Sequence, residues 1–245
     1  MTEQDRADMK INGDGTMSGG TFGAITINGA GSVNGDADAT DVRINGAGTI
    51  NGKLVAQSIT VNGTGTFNGS VQAGEMNVNG DASIRDGAGV GRFTIKGNTS
   101  VGGGLAANEL DVRGFLRAGG DCEAESFSAE GGFTIGGLLN AGTIDIKVFG
   151  PCSAREIGGE KIVIRAPQGL QSITQIFTFW TEKRLEAQTI EGDEVTLEAV
   201  TAQTVRGANV TIGPECRIEL VDYTGGYTVD PGASVGEARK VDVAG

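Results

Sequence analysis

The chain has 245 residues, 43 of them Gly, and its 19 Lys and Arg against 31 Asp and Glu give a formal charge of −12. That charge repels nucleic acid and anionic lipid, an aromatic content of 5 % rules out a thick aromatic core, and the lack of any His removes the commonest catalytic base and metal ligand. Gly-X-Y order is absent, which excludes collagen, and no apolar run reaches the ~20 residues of a membrane-spanning helix.

Residues 1–9 read as a short N-terminal tail without the basic-then-apolar order of an export signal, which predicts a cytoplasmic chain. From residue 10 a repeat of 17 takes over. One ladder runs Ile27, Ile44, Val61, Val78, Ile95, Val112, Ala129 and Ile146; a second runs Ile25, Val42, Ile59, Met76, Phe93, Leu110, Phe127 and Ile144. A third is Val33, Ile50, Phe67, Ile84, Val101, Ala118, Ile135 and Cys152. A fourth, with smaller members, is Ala37, Leu54, Val71, Ala88, Leu105, Cys122 and Leu139. Gly29, Gly46, Gly63, Gly80, Gly97, Gly114 and Gly131 keep the same step until Val148 breaks it.

Within one repeat the apolar residues alternate, as at Ile25 and Ile27, which is the period of a strand. Asn28-Gly29 and Asn34-Gly35 fall between the strands, and both residue types accept the left-handed backbone expected at a corner. A helix is excluded, because Gly at this density costs about 1 kcal/mol per position relative to Ala. Three short strands and three bends per repeat make one rung of an all-β fold, a right-handed parallel β-helix. It is a three-sided solenoid of ~17 residues per coil, with the ladders as its structural core. Asn28, Asn45, Asn62 and Asn79 align at one corner, where amides can bond along the column.

Ile162 and Ile164 come one residue late, so a coil of 18 is expected there. Residues 166–185 are the least rung-like. In them Leu170, Ile173, Ile176, Phe177 and Trp180 fall at helical spacing, a face expected to pack on the solenoid. Repeats of 15 and then 17 return with Ile190/Val205 and Val210/Tyr227. The organisation expected is a tail over 1–9, regular coils over 10–165, an irregular insertion or waist over 166–185, and a continuation of the β-helix over 186–245.

Little chemistry is expected. Cys122, Cys152 and Cys216 lie far apart without a Cys-x-x-Cys pair, so they read as half-buried reduced thiols, not as a zinc site or a disulfide framework. Gly52-Lys53-Leu54 lacks the spacing and hydroxyl of a phosphate-binding loop. Asp36, Asp38 and Asp41 in one coil, and Glu123 and Glu125 in another, could bind calcium or act as acid and base. They do not recur as facing ladders, and they read as a solvated outer face. No catalytic, cofactor-binding or metal-binding residue is expected, and no enzyme.

Ile27-Asn28-Gly29-Ala30-Gly31-Ser32-Val33-Asn34-Gly35 and its repeats resemble the coils of the bactofilins, bacterial polymer-forming cytoskeletal proteins, and most of all the longer type of Bacillus-like bacteria. Gly131-Gly132-Phe133-Thr134-Ile135 and Arg155-Glu156-Ile157-Gly158-Gly159 extend the resemblance. It implies a scaffold that joins end to end into filaments without nucleotide, with itself as partner, at the inner face of the cell membrane or beside morphogenetic and motility proteins. The open ends of a β-helix point the same way, because their unpaired N–H and C=O groups invite pairing. Ile11 and Phe22 on the first rung and Val229 and Val235 on the last are the candidate end-to-end contacts. The alternative is a carbohydrate-active β-helix enzyme or a protein that binds cell-wall polysaccharide.

Overall fold

Alternating apolar residues flanked by Gly and Asn become short strands in the computed structural model, which describes residues 6–166 and 184–242 and contains no helix among them. Two compact units, Met1–Gly120 and Asp121–Gly245, divide the chain. Each is a parallel β-solenoid.

In the first unit Met9–Ile11, Gly15–Ile27 and Ala30–Ile44 open the stack. Four-residue and eight-residue strands then alternate, as in Ala47–Ile50, Leu54–Val61, Thr64–Phe67 and Val71–Val78. Each residue pairs with its copy 17 positions on: Leu54 with Val71, Ile59 with Met76, Phe67 with Ile84. Gln57 drops out of the ladder between the Ala56–Ala73 and Ser58–Glu75 pairs, so the eight-residue strand turns a corner at its middle. Each coil therefore has three sides, and the right-handed sense is the one that parallel crossovers take.

The core follows from that geometry. Ile25, Ile27, Val33, Val42, Ile44, Ile50, Ile59, Val61, Phe67, Met76, Val78, Phe93, Ile95 and Val112 are fully buried, and Ile84, Val101 and Leu110 nearly so. One inward position changes size along the stack, from Gly48 and Gly65 through Ala82 and Thr99 to Leu116. Where it is Gly, the neighbours fill the space: a Cβ on Gly48 would stand 3.0 Å from a methyl of Ile44.

The recurring glycines have a different cause from the one expected. They do not carry the left-handed backbone. A Cβ on Gly46, Gly63, Gly80, Gly97 or Gly114 would lie 2.2, 2.1, 2.1, 1.9 or 2.0 Å from the carbonyl oxygen of the glycine one coil earlier. Backbone is stacked on backbone at this corner, and no side chain fits. Gly35 is the contrasting case, with φ of 103° and no atom nearer than 3.9 Å to its Cβ position.

In the second unit the step between coils varies. Phe127 pairs with Ile144 at 17, Ile144 with Ile162 at 18, Val195 with Val210 at 15 and Val210 with Tyr227 at 17. The third ladder needs a correction, for Ile135 pairs with Ala154 while Cys152 pairs with Phe133. The cause is the corner before it, where Val148 turns inward to full burial and Phe149 is pushed out to 41 % exposure. The strand Cys152–Arg165 pairs directly with Leu185–Leu197. Most of the expected waist over 166–185, including Leu170, Ile173, Ile176, Phe177 and Trp180, lies outside the described residues.

Candidate functional site

The carboxylates singled out in the sequence are engaged locally. The backbone N–H of Lys53 donates to Asp36 Oδ1 at 2.8 Å, Arg6 donates to Asp38 Oδ1 at 2.7 Å, and Arg43 lies 3.3 Å from Asp41. Glu123 and Glu125 stand exposed on the strand Cys122–Ala129. Among the described residues no three His, Cys, Asp or Glu side chains form a group that could hold a metal ion.

The thiols are more deeply placed than expected, with Cys122, Cys152 and Cys216 at most 2 % exposed and all free. Burial, aided by Glu123, pushes the Cys122 thiol up to about 12. Burial pushes Cys152 up to about 11 against the backbone of Phe133, which favours the thiolate. In both, burial disfavours the thiolate, the nucleophilic form.

Side-chain amides run up two corners. Asn28 donates to Asn12, Asn45 to Asn28, Asn62 to Asn45 and Asn79 to Asn62, at 2.8 to 2.9 Å. A second column runs from Asn68 to Asn51 to Asn34 at 2.7 Å, with the same spacing of 17 in the sequence. The second unit carries a column of alternating charge that the varying coil length hid: Glu191, Arg206, Asp222 and Arg239 stand in register. Arg206 lies 3.5 Å from Glu191 and 3.6 Å from Asp222, and Arg239 Nε donates to Asp222 Oδ1 at 2.5 Å. Arg239 holds the Asp222 carboxyl below its ordinary value, against the opposing effect of burial.

The remaining feature is where ladders stop. At the start of the first unit, Met9–Ile11 pairs with residues 25–27 only, so residues 15–22 have no strand on their outer side among the described residues. Met17 pairs inward with Val33, which makes it a core position of the first coil, yet it is 45 % exposed. Phe22, on the same strand and paired with Ala39, is half-buried. Ile11 is 6 % exposed, its methyl groups lying over Gly31 and Gly15. At the close of the second unit Tyr227–Val229 pairs with residues 210–212 and Ser234–Lys240 with the strand Arg217–Tyr223. Val229 continues the ladder of the fully covered Ile212 but is 43 % exposed, and Val235 is half-buried. Tyr223 and Tyr227 stack there with ring centroids 5.1 Å apart. Apolar side chains thus stand at core positions that no coil among the described residues covers.

Both units are parallel β-solenoids, the class of repeat protein in which each coil packs only on its neighbours. The family described as "Bactofilin: Polymer-forming cytoskeletal" matches residues 4–88, so this stretch is similar to that family. Two curated proteins of Bacillus subtilis (strain 168) are similar. "Uncharacterized protein YhbE" is 42 % identical over 106 residues, 43 % of this chain and 44 % of that one. "Uncharacterized protein YhbF" is 35 % identical over 108 residues, 43 % and 42 % of the two chains. The match thus covers less than half the length of these relatives. No solved structure matches the chain.

Proposed function

We propose that the chain is a structural scaffold that joins end to end into filaments without nucleotide. The observation that carries this reading is the exposure of Met17 and Val229 at positions whose ladder neighbours Val33 and Ile212 are covered. Stacking a coil of a second copy on either edge would bury these side chains and pair the free backbone groups, two gains that need no energy source. Contacts are assigned to Met17 and Phe22 at one edge and to Val229 and Val235 at the other. The match of residues 4–88 to a polymer-forming family supports the same conclusion. A cytoplasmic site follows from this reading, and attachment at the inner face of the cell membrane rests on the family resemblance alone; among the described residues no helix is long and apolar enough to cross a membrane.

The test is electron microscopy and sedimentation of the purified chain without nucleotide or metal. Filaments are expected from the parent. Val229→Asp with Val235→Asp should leave folded protein in the supernatant, whereas the outer-face change Ser100→Asp should spare assembly. Filaments that survive the paired change would refute contact through that edge.

One observation favours the polysaccharide-binding alternative. A groove of about 1040 Å³ on the second unit is lined by Glu186, Gln188, Gln203, Arg217 and Glu219, groups able to hold sugar hydroxyls. Retention of the chain on insoluble cell-wall glycan, lost on Gln188→Ala with Gln203→Ala, would support that reading.

A further inference from the structure

Three contacts converge on the edge where the first unit begins. The backbone N–H of Gly23 donates to the Ala7 carbonyl at 3.0 Å, and the N–H of Ala24 donates to Asp8 Oδ1 at 2.9 Å. Arg6 reaches past the first coil to Asp38 Oδ1, 2.7 Å away. One coil deeper, Asp41 takes its place in the ladder directly on Ala24. Among the described residues no strand pairs with Ala24 on its outer side, and its N–H is met by a side-chain carboxylate oxygen in place of a backbone carbonyl. The seat is shaped for this. A Cβ on Gly23 would come within 2.7 Å of Asp8 Oδ1 and 2.9 Å of the Arg6 carbonyl, whereas the next coil carries Thr40 at the corresponding corner.

We infer that residues 6–8 form a detachable self-cap that competes with a second copy of this chain for the edge. The inference rests on the end-to-end reading above and adds its control. The occupied groups are ones that an added rung needs, the edge N–H donors of Gly23 and Ala24, and the Arg6–Asp38 pair ties residues 6–8 over them. The adjoining residues 15–22 remain open, so an incoming copy finds part of the edge free and must displace the cap to complete its coil. The hold is weak enough to exchange, since Arg6 and Asp38 are 32 % and 51 % exposed and such pairs contribute little in water. Displacement exchanges one set of hydrogen bonds for another and makes or breaks no covalent bond.

The experiment compares the full-length parent with Arg6→Glu/Asp8→Ala, which opens the cap, and Arg6→Glu/Asp38→Arg, which reverses the ion pair and keeps Asp8. Sedimentation gives the critical concentration for assembly, and hydrogen exchange below that concentration reports the Gly23 and Ala24 amides. The open variant should lose protection at both amides and assemble at a roughly five- to tenfold lower concentration. The reversed pair should restore the parent value. Loss of protection with an unchanged critical concentration overturns the cap while leaving end-to-end assembly intact. A higher critical concentration also overturns it, because residues 6–8 would then be part of the contact. Absence of filaments from all three chains overturns both readings.

Discussion

Thr99 is 2 % exposed, and its hydroxyl has no hydrogen-bond partner in the core of the first unit. It stands between Ala82 and Leu116 in an inward ladder, where Val would fill the same volume. A buried hydroxyl without a partner costs about 1–3 kcal/mol, so Thr99→Val should raise stability by roughly 1 kcal/mol, read as a higher urea midpoint. A lower midpoint would mean that the hydroxyl is satisfied. Asp222 shows the reverse situation, a carboxylate 8 % exposed and held by Arg239 and Arg206. Its folded pKa is depressed, so the stability it contributes is present above its unfolded value of ~3.9 and is lost as pH falls through the folded value. Asp222→Asn should therefore be less stable than the parent at neutral pH, and the gap should close below about pH 4. A gap of constant size down to pH 3 would contradict the assignment.

At the scale of the coil, the corner glycines and the amide columns support the same stacking by different means. Gly97 admits no side chain, since a Cβ would sit 1.9 Å from the Gly80 carbonyl oxygen, whereas Gly89 has nothing within 4 Å of its Cβ position. Gly97→Ala should cost several kcal/mol because a backbone pair must separate. Gly89→Ala should gain about 0.5 kcal/mol by restricting the unfolded chain. Thermal melts of the two variants decide the point, and equal shifts would dismiss the stacking argument. The ladders were legible in the sequence because a coil of constant length places each residue over its own copy, so spacing along the chain becomes contact in space. Cys152 was misplaced for the same reason: Phe149 bulges from its corner, and counting by 17 then loses the register. The charge column Glu191–Arg206–Asp222–Arg239 was hidden likewise, because its steps of 15, 16 and 17 share no period.

For the molecule as a whole, the charge of −12 sets how copies approach each other. Under the proposed end-to-end assembly, contact between the outer faces of two copies brings like charges together, whereas contact at the exposed Met17 and Val229 edges buries apolar side chains. Screening lengths shorten from about 10 Å at 0.1 M salt to 3 Å at 1 M, so added salt should turn single filaments into bundles. Turbidity and microscopy across that range check it, and bundles at low salt that dissolve at high salt would mean that the sides attract through ion pairs.

The sequence by itself determined the fold class, four inward ladders of the first unit and the first amide column, because over most of that unit contacts repeat at a fixed interval of 17. Composition excluded His chemistry and a membrane-spanning helix for equally local reasons. Only the tertiary structure decided why the corner glycines are obligatory, since their constraint is the carbonyl of another coil and not their own backbone angles. It also showed that Met17 at the first edge is 45 % exposed while Ile11 is 6 % exposed. The exposure of a side chain there depends on which neighbouring coil is present to cover it, and a periodic sequence gives the same residue types to covered and uncovered coils alike.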